Sequence, residues 1–476
     1  MTSLLVLLCC VASAQLPNVY ALRHEGVLAD VAVADVTGDG RGDICALSMR
    51  ETAGHEVWLS LYLARPDGSY PQTPDIRHAL PLTTGGVFFA ETDGAAPIEI
   101  VAVDHTGAYI FSLRDNALAL IAEPRFFSLF PAGLLAPRFL EHHAVDITGD
   151  GIHEWLVPLP NGYALRSPEK EIAVINCHVD GSVAQTSGRR TQLNYGLPGV
   201  VPFDHAGAEN GQALAFISSR TVEFVHGPDW DNVVTVPIPF RGTPPQNTHA
   251  HSGGYADTFP KPPQPQPHAE LHDLNNNGRP DLIVTEAEGG LNVETHTRVY
   301  YAKPDHTFPE EPDIHFRKPG AYAQPTVIDV NGDGLNDIFF FELSFGIRSM
   351  VSYLVRRKVR LGFEAYLNSP EGFSSSPDLQ TRFTVDVSDD ERPGVLALGH
   401  FTGNGRMDAV FSQDGEKLGL FEGEANRLVA QRPTAEFDIP PFGVAKTCVL
   451  HENGREDLVV FEPGAEEPAY IYALVF

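Results

Sequence analysis

Short apolar runs, most of them about four to eight residues long, recur along the chain between loops rich in glycine, aspartate and asparagine. Val31–Ala34 and Ile44–Leu47 flank one such loop, and Val327–Ile328 and Ile338–Phe341 flank another. Runs of this kind, bounded by turn residues, are typical of β-strands. The 43 glycines and 38 prolines are spread along the chain, which also favours an all-β protein with many turns.

A nine-residue phrase recurs in these loops. It reads DVTGDGRGD at residues 35–43, DITGDGIHE at 146–154, DLNNNGRPD at 273–281 and DVNGDGLND at 329–337. Residues 400–408 and 449–457 keep only its second half. Oxygen-bearing side chains at positions 1, 3, 5 and 9, with the backbone carbonyl of position 7, can surround one hard cation such as calcium. Each loop joins two strands, which excludes an EF-hand, where helices flank the loop.

The phrases recur at a spacing that is typical of β-propeller blades. With two weaker slots at Phe89 and Asp204, eight slots begin at residues 35, 89, 146, 204, 273, 329, 400 and 449. Each interval has room for about four short strands. We therefore predict an all-β fold, a β-propeller of eight blades with four antiparallel strands each. Seven blades are the alternative, if one of the weaker slots is an insertion.

The two ends of the chain are predicted to pair within one blade. The last unit supplies only three strands, Val444–Leu450, Leu458–Phe461 and Ala469–Phe476. Val19–Arg23 has the composition of a strand and precedes the first unit. Pairing it with the last strand would close the ring and remove two exposed sheet edges.

The first residues predict export from the cytoplasm. Leu4–Val11 is too short to span a bilayer, and Ala12-Ser13-Ala14 resembles a cleavage site, so residues 1–14 are interpreted as a signal peptide. A hydrophobic N-terminal strand is the alternative. We expect residues 15–476 to form a single propeller domain, secreted to the extracellular space or, in a bacterium, to the periplasm. Three cysteines then remain, Cys45, Cys177 and Cys448, too few for a disulfide framework.

The net charge of −29 argues against two classes of partner. Such a surface repels nucleic acid and anionic membranes. After Val11 no apolar run approaches the length of a membrane span. We expect a monomer, with some of its carboxylates acting as cation ligands.

The repeated phrase resembles the FG-GAP/VCBS repeat of integrin α chains and of many secreted propellers. The resemblance covers nearly all of residues 19–476 and implies calcium in the loop between the first and second strands of a blade. It implies about three to four ions, with the seventh and eighth loops persisting as turns without metal. The implied ligands are Asp35, Thr37, Asp39, Arg41 (by its carbonyl) and Asp43; Asp146, Thr148, Asp150, Ile152 (carbonyl) and Glu154; Asp273, Asn275, Asn277, Arg279 (carbonyl) and Asp281; and Asp329, Asn331, Asp333, Leu335 (carbonyl) and Asp337.

The function expected from this pattern is non-catalytic binding. Propeller faces commonly hold a protein or a glycan, although a fold does not fix a function. The alternative is a glycan-active enzyme such as a calcium-dependent polysaccharide lyase. That activity calls for clustered Arg, Lys, His or Tyr in one cleft, and only residues 356–360 are densely basic. The sequence identifies no catalytic residue and no ligand-binding residue.

Overall fold

The chain is built from strands throughout the residues that the structure describes. A computed structural model describes residues 17–50, 56–130, 137–187, 190–205, 212–242, 267–289, 293–344, 357–386, 394–465 and 468–476. No helix occurs among them. The predicted signal peptide at residues 1–14 lies outside these ranges.

The described residues form eight four-stranded antiparallel units. Strands 1 to 4 follow in sequence order in the first seven, whereas the eighth takes its fourth strand from Asn18–His24. Strand 1 of blade 2 contacts strand 1 of blade 3, and strand 1 of blade 7 contacts strand 1 of blade 8, which indicates that the first strands are innermost. Blades 1 to 4 consist of Val27–Ala34, Asp43–Arg50, Glu56–Tyr62 and Ile76–Leu80; Gly86–Ala90, Glu99–Asp104, Gly107–Arg114 and Ala117–Ala122; Ala144–Val145, Glu154–Leu159, Gly162–Arg166 and Glu171–Asn176; and Gly199–Asp204, Gln212–Ile217, Thr221–His226 and Val234–Pro237.

Blades 5 to 8 repeat this arrangement. They consist of His268–His272, Asp281–Glu288, Glu294–Tyr300 and Ile314–Pro319; Ala321–Ile328, Asp337–Ser344, Lys358–Tyr366 and Leu379–Asp386; Leu396–Gly399, Asp408–Phe411, Leu418–Phe421 and Ala435–Phe437; and Val444–Cys448, Asp457–Phe461, Ala469–Val475 and Asn18–His24. Two elements lie outside the blades, a hairpin of Asp180–Ser187 with Arg190–Gly196 and the two-residue strand Arg138–Phe139. The predicted eight-bladed propeller is confirmed.

The hydrophobic core lies between the blades. Among the described residues, buried apolar side chains form eight clusters, and each cluster joins two neighbouring blades. Blade 1 contributes Leu47 and Leu59 to the cluster that it shares with Ile100 and Phe111 of blade 2. Strands buried on both faces read as continuous apolar runs, which explains why strands 2 and 3 show little alternation.

The ring is closed by the two ends of the chain, as predicted. Asn18–His24 pairs antiparallel with Ala469–Val475, from Asn18 opposite Val475 to His24 opposite Ala469. Leu22 of the added strand is fully buried with Val31 of blade 1 and Ile471 of blade 8. The N-terminal strand therefore completes the eighth blade and contributes to its junction with the first.

Removing this strand should destabilise the whole protein. A chain that begins at Glu25 loses the burial of Leu22, which alone is worth roughly 2 kcal/mol, and exposes the apolar edge of Ala469–Val475. We expect its thermal unfolding to shift down as one transition and its aggregation to increase. A chain that begins at Asn18 keeps the strand and is the control. Equal unfolding temperatures for the two chains would contradict closure by this strand.

Candidate metal-binding loops

The loop between strands 1 and 2 has one conformation in every blade that keeps the nine-residue phrase. The carboxylate at position 1 accepts hydrogen bonds from the backbone amides that follow it. Asp35 Oδ1 accepts from the Gly38 amide at 2.7 Å, and its Oδ2 accepts from the Gly40 amide at 2.8 Å. Asp329 makes the same two bonds to Gly332 and Gly334, at 2.7 and 2.8 Å. These bonds curl the loop into an Asx-type turn.

Glycine at position 6 has a positive φ in these loops, which residues with a Cβ rarely adopt. The φ of Gly40 is 81° and that of Gly334 is 82°. The side-chain oxygen at position 5 accepts from the amide of position 7, as Asp333 Oδ1 does from Leu335 at 2.9 Å. The same bond is made to the other three predicted position-7 ligands, Arg41, Ile152 and Arg279.

Position 9 differs from the other predicted ligands because its carboxylate is buried under strand 2. Asp43, Asp281 and Asp337 are all fully buried. One oxygen of Asp337 accepts from the Val330 amide at 2.8 Å, at position 2 of its own loop. The other oxygen accepts from the Asn368 amide at 2.6 Å, just beyond strand 3. The carboxylate therefore fastens the loop to the end of the third strand, a contact that we call the position-9 clasp.

The position-9 clasp recurs in the loops that are predicted to hold no metal. Asp408 accepts from the Thr402 and Gly423 amides, both at 2.8 Å. Asp457 accepts from the Leu450, His451 and Phe476 amides at 2.8, 3.2 and 2.9 Å. This buried role explains why residues 400–408 and 449–457 keep the second half of the phrase. A carboxylate buried among amides is expensive to replace, whatever the loop binds.

Burial also changes the acidity of these groups. Burial raises the pKa of Asp43 to about 6, and the neighbouring charges of Asp39 and Asp35 act in the same direction. The hydrogen bond from the Ala64 amide opposes this rise. Burial likewise raises the pKa of Asp281 and of Asp337 to about 6. The influence of Asp39 and Asp35 on Asp43 shows that positions 1, 5 and 9 are brought close enough to repel one another.

The donor set fits calcium in its chemistry. Position 1 is half-buried and position 5 is exposed in the 35, 146, 273 and 329 loops, so these oxygens face solvent, whereas position 9 is buried. Thr37 Oγ1 lies 3.2 Å from Asp35 Oδ1, and Thr148 Oγ1 lies 3.2 Å from Glu154 Oε1, so position 3 meets positions 1 and 9. A carboxylate has about four lone-pair sites, and Asp329 accepts amide bonds from Gly332, Asp333 and Gly334, which leaves room for an ion. Calcium in these loops stays a prediction.

Blade 2 contains an acidic loop that the sequence analysis placed two residues too early. Phe89 lies on strand 1 and stacks on Phe139. Glu91 instead occupies position 1, where its Oε1 accepts from the Gly94 amide at 2.9 Å. Glu99 occupies position 9, where its Oε2 accepts from the Thr92 amide at 2.9 Å.

The side chains of Glu91, Asp93 and Glu99 each place a carboxylate oxygen within 4.8 Å of the other two. Within the described ranges, no other set of three Asp, Glu, His or Cys side chains brings its ligand atoms this close together. Glutamate at both ends of the phrase hid this loop. Glu154, which ends the 146 loop, was the available signal that glutamate is accepted at position 9.

Neighbouring loops are hydrogen-bonded to one another around the ring. In most pairs position 8 of one loop donates to a carbonyl at position 1 or 2 of the preceding loop. The bonds run from Gly42 to Leu450 (3.0 Å), from His153 to Glu91 (2.8 Å), from the Asn336 side chain to Asp273 (2.9 Å), from Met407 to Val330 (2.9 Å) and from Glu456 to His400 (3.2 Å). The loops joined by these bonds thus form a belt on one face of the propeller.

The central channel is partly filled by the chain itself. Arg138–Phe139 pairs in parallel with strand 1 of blade 2, and the Phe139 amide donates to Asp30 Oδ2 at 2.9 Å. Lys446 of blade 8 donates to Asp30 Oδ1 at 3.0 Å. The adjoining cavity of about 280 Å³ is lined mainly by apolar residues of the inner strands, including Val31 and Val87. No pattern of apolar and polar residues predicts this added strand.

A second cavity of about 370 Å³ lies against blades 3, 4 and 5. Its walls include the apolar Val201 and Phe203, together with His272. His272 Nε2 lies 3.1 Å from Glu270 Oε2, and His268 Nε2 lies 2.6 Å from Glu270 Oε1. Although burial opposes the shift, the two imidazoles lower the pKa of Glu270 to about 2.

The basic segment at residues 356–360 is described only from Arg357 onward. There Lys358 pairs with Asp386 across strands 3 and 4 of blade 6, at 2.8 Å. No helix in the described part of the chain has the length and apolar character that a membrane span requires.

The clasp can be separated from metal binding in the eighth loop. Replacing Asp457 by Ala leaves the amides of Leu450, His451 and Phe476 without their acceptor, and should lower the free energy of unfolding by about 3 kcal/mol. The loss should be equal in calcium and in chelator, measured by chemical denaturation. Glu452→Ala, at an exposed position of the same loop, is the control. A wild-type stability for Asp457→Ala would show that the clasp does not support the blade.

Comparisons with known proteins give one family match and several similar structures. The FG-GAP-like repeat family matches residues 273–340. No curated protein sequence matches the chain. Among solved structures, BBS1N in complex with ARL6DN, soaked with lead, is similar at 9% identity and a TM-score of 0.39, covering 98% of both chains. The V. cholerae biofilm matrix protein Bap1 is similar at 10% identity and a TM-score of 0.38, covering 96% of this chain and 87% of its own.

At these TM-scores the fold assignment rests on the strand pairing of the chain itself. The family match begins at the acidic loop of blade 5 and spans strands 2 to 4 of that blade. It continues through strand 1 and the acidic loop of blade 6 and ends halfway along strand 2 of that blade. The chain is therefore an eight-bladed β-propeller that carries an FG-GAP-like repeat.

Proposed function

We propose that the protein is a secreted, calcium-binding propeller that binds a protein or glycan partner without transforming it. The observation that carries the proposal is the belt of acidic loops on one face. In four of these loops, those that begin at residues 35, 146, 273 and 329, the oxygens at position 5 are exposed. A face of this kind offers a broad recognition surface whose shape calcium would fix.

Hydrogen bonds between neighbouring loops support a shared response to calcium. Asn336 donates to the Asp273 carbonyl at 2.9 Å, and His400 Nε2 lies 2.8 Å from the Asp329 carbonyl oxygen. An ion that orders one loop would thus also restrict the next. Calcium that binds only the folded chain would stabilise it by mass action.

The channel also favours binding over catalysis. An acidic sugar bound in the first cavity would need to pair with the cation Lys446, which lines it. The amine of Lys446 already lies 3.0 Å from Asp30 Oδ1. The rest of that wall is mostly apolar, apart from the neighbouring side chains of Glu141, His142 and His143. A lyase on an anionic glycan needs uncompensated cations near the substrate carboxylate.

One observation keeps the enzyme as a second candidate. His272 lines the second cavity, and its ring contacts the half-buried Glu270. A histidine held by a carboxylate can act as a general base toward a sugar ring. The two candidates differ in whether the partner is changed.

Calcium should raise the unfolding temperature of the full chain by several degrees relative to chelator, and elemental analysis should find about three to four ions per chain. Asp333→Ala should lower the bound calcium by about one ion, because it removes an exposed carboxylate of the 329 loop. Asn404→Ala, at the same position of the seventh loop, should leave the count unchanged. Equal losses from both variants, or no bound calcium in the wild type, would refute the calcium assignment.

Binding can be distinguished from cleavage with defined acidic polysaccharides and a panel of immobilised extracellular-matrix proteins and glycans. We expect calcium-dependent retention on at least one surface and unchanged polysaccharide length by size-exclusion chromatography. Asp333→Ala should weaken retention, with Asn404→Ala as the matched control. Shortening of a polysaccharide that His272→Ala abolishes would instead establish the enzyme.

A further inference from the structure

Three histidines from separate parts of the chain meet where blades 4 and 5 join. His205 follows strand 1 of blade 4, His226 ends strand 3 of the same blade, and His306 lies in the turn between strands 3 and 4 of blade 5. His306 Nε2 lies 3.0 Å from His205 Nδ1. The His205 ring centroid is 4.7 Å from those of both His226 and His306.

The backbone at His306 is one that the fold otherwise gives to glycine. The turn Lys303-Pro304-Asp305-His306-Thr307 matches Arg65-Pro66-Asp67-Gly68-Ser69 of blade 1. In both turns the fourth residue donates its amide to the carbonyl of the first, at 2.9 Å.

The φ angle is 79° at Gly68 and 60° at His306. The corresponding turn of blade 6 also has a glycine, Gly372, with a φ of 92°. This left-handed conformation destabilises a residue that has a Cβ by about 1 kcal/mol or more. Of these three turns, only that of blade 5 has a side chain in this strained conformation. We infer that the imidazole of His306 has a functional role that offsets the strain.

The imidazole of His306 is buried but incompletely satisfied. Its residue is 6% exposed, and its Nδ1 has no hydrogen-bond partner. Phe224 stacks on the ring at a centroid distance of 5.0 Å, and Phe203 packs edge-on at 5.5 Å. Burial lowers the pKa of His306 to about 4, and the neighbouring imidazoles of His205 and His226 and the charge of Arg279 act in the same direction. The charge of Asp305 opposes this shift.

The distance between the first two imidazoles suits a shared metal ion. Two nitrogens bound to one tetrahedral zinc ion at about 2.0–2.1 Å lie roughly 3.3 Å apart. The 3.0 Å between His205 Nδ1 and His306 Nε2 is close to that value, so a metal could replace the proton that they share. His226 Nδ1 lies 3.2 Å from the Gly227 carbonyl oxygen, and in the tautomer that donates this bond its Nε2 keeps a lone pair.

We propose that His205, His226 and His306 form a binding site for a divalent transition-metal ion of the zinc class at the junction of blades 4 and 5. His205 and His306 are the two ligands already in place. The nitrogens of His226 do not converge with theirs in this arrangement, and His226, whose ring contacts that of His205, becomes the third ligand when its side chain turns away from the Gly227 carbonyl. Imidazole nitrogen favours zinc-class ions over calcium, so the site is chemically distinct from the acidic loops. The metal would fasten the two blades together.

The test titrates zinc chloride into the full chain in saturating calcium, with calorimetry and thermal unfolding as readouts. We expect one zinc ion per chain at this site and an unfolding temperature that rises with zinc. His306→Gly restores the blade 1 turn sequence, so without zinc it should unfold at the wild-type temperature or above. It should weaken zinc binding at least tenfold and abolish the zinc-dependent rise, and His205→Ala should weaken binding to a similar extent.

His296→Ala is the matched control. His296 and His315 also form a pair, with nitrogens 3.1 Å apart, on strands 3 and 4 of blade 5. This variant should bind zinc as the wild type does. Zinc binding by His306→Gly at wild-type affinity, no zinc binding by the wild type, or loss of the site in His296→Ala would each overturn the proposal.

Discussion

A buried carboxylate at position 9 is the contact on which every blade but the fourth depends. It accepts amides from the loop between strands 1 and 2 and, in blades 1, 5, 6, 7 and 8, an amide just beyond strand 3, as Asp43 does from Val36 and Ala64 at 3.1 and 2.9 Å. An uncompensated carboxylate could not be buried there, and those amides could not be buried without it. The inner strand, the loop and the outer strands are thus held in one register, and the apolar faces of neighbouring blades can pack.

This constraint separates two roles within one phrase. Position 9 is retained in the loops at 400 and 449, where position 1 is His400 or Val449 and a cation would find few carboxylates. Positions 1, 3 and 5 vary between those loops and the acidic ones, because they curl the loop or hold an ion but do not carry the blade. A motif search that treats all nine positions alike therefore merges a structural element with a candidate binding element.

Much of the fold could be predicted from the sequence because the repeat is dictated by local physics. Apolar runs on both sides of a glycine-containing acidic turn predict strands 1 and 2, and the missing strand of the last unit predicts its pairing with Asn18–His24. The blade 2 loop was misplaced because Glu91 and Glu99 replace the usual aspartates. In blade 4, Gln212 stands at position 9, so the phrase is hardly visible there.

The remaining features depend on contacts between distant segments. Phe139 reaches the channel through a bond to Asp30, more than a hundred residues earlier, and a two-residue strand leaves no periodic pattern. His205 and His306 are likewise far apart in the sequence. The one local sign of that cluster was a histidine at a turn position where blade 1 has Gly68, and its meaning depends on the φ angle of that turn.

The central claim is that the exposed oxygens of the acidic loops hold calcium while the buried position-9 carboxylates hold the blades. Anomalous diffraction from crystals grown in calcium tests it most directly. The account predicts peaks beside Asp35, Asp146, Asp273 and Asp329 and none in the loops at 400 and 449. Acidic loops without peaks, in which the position-1 carboxylates bind only their own amides, would contradict it.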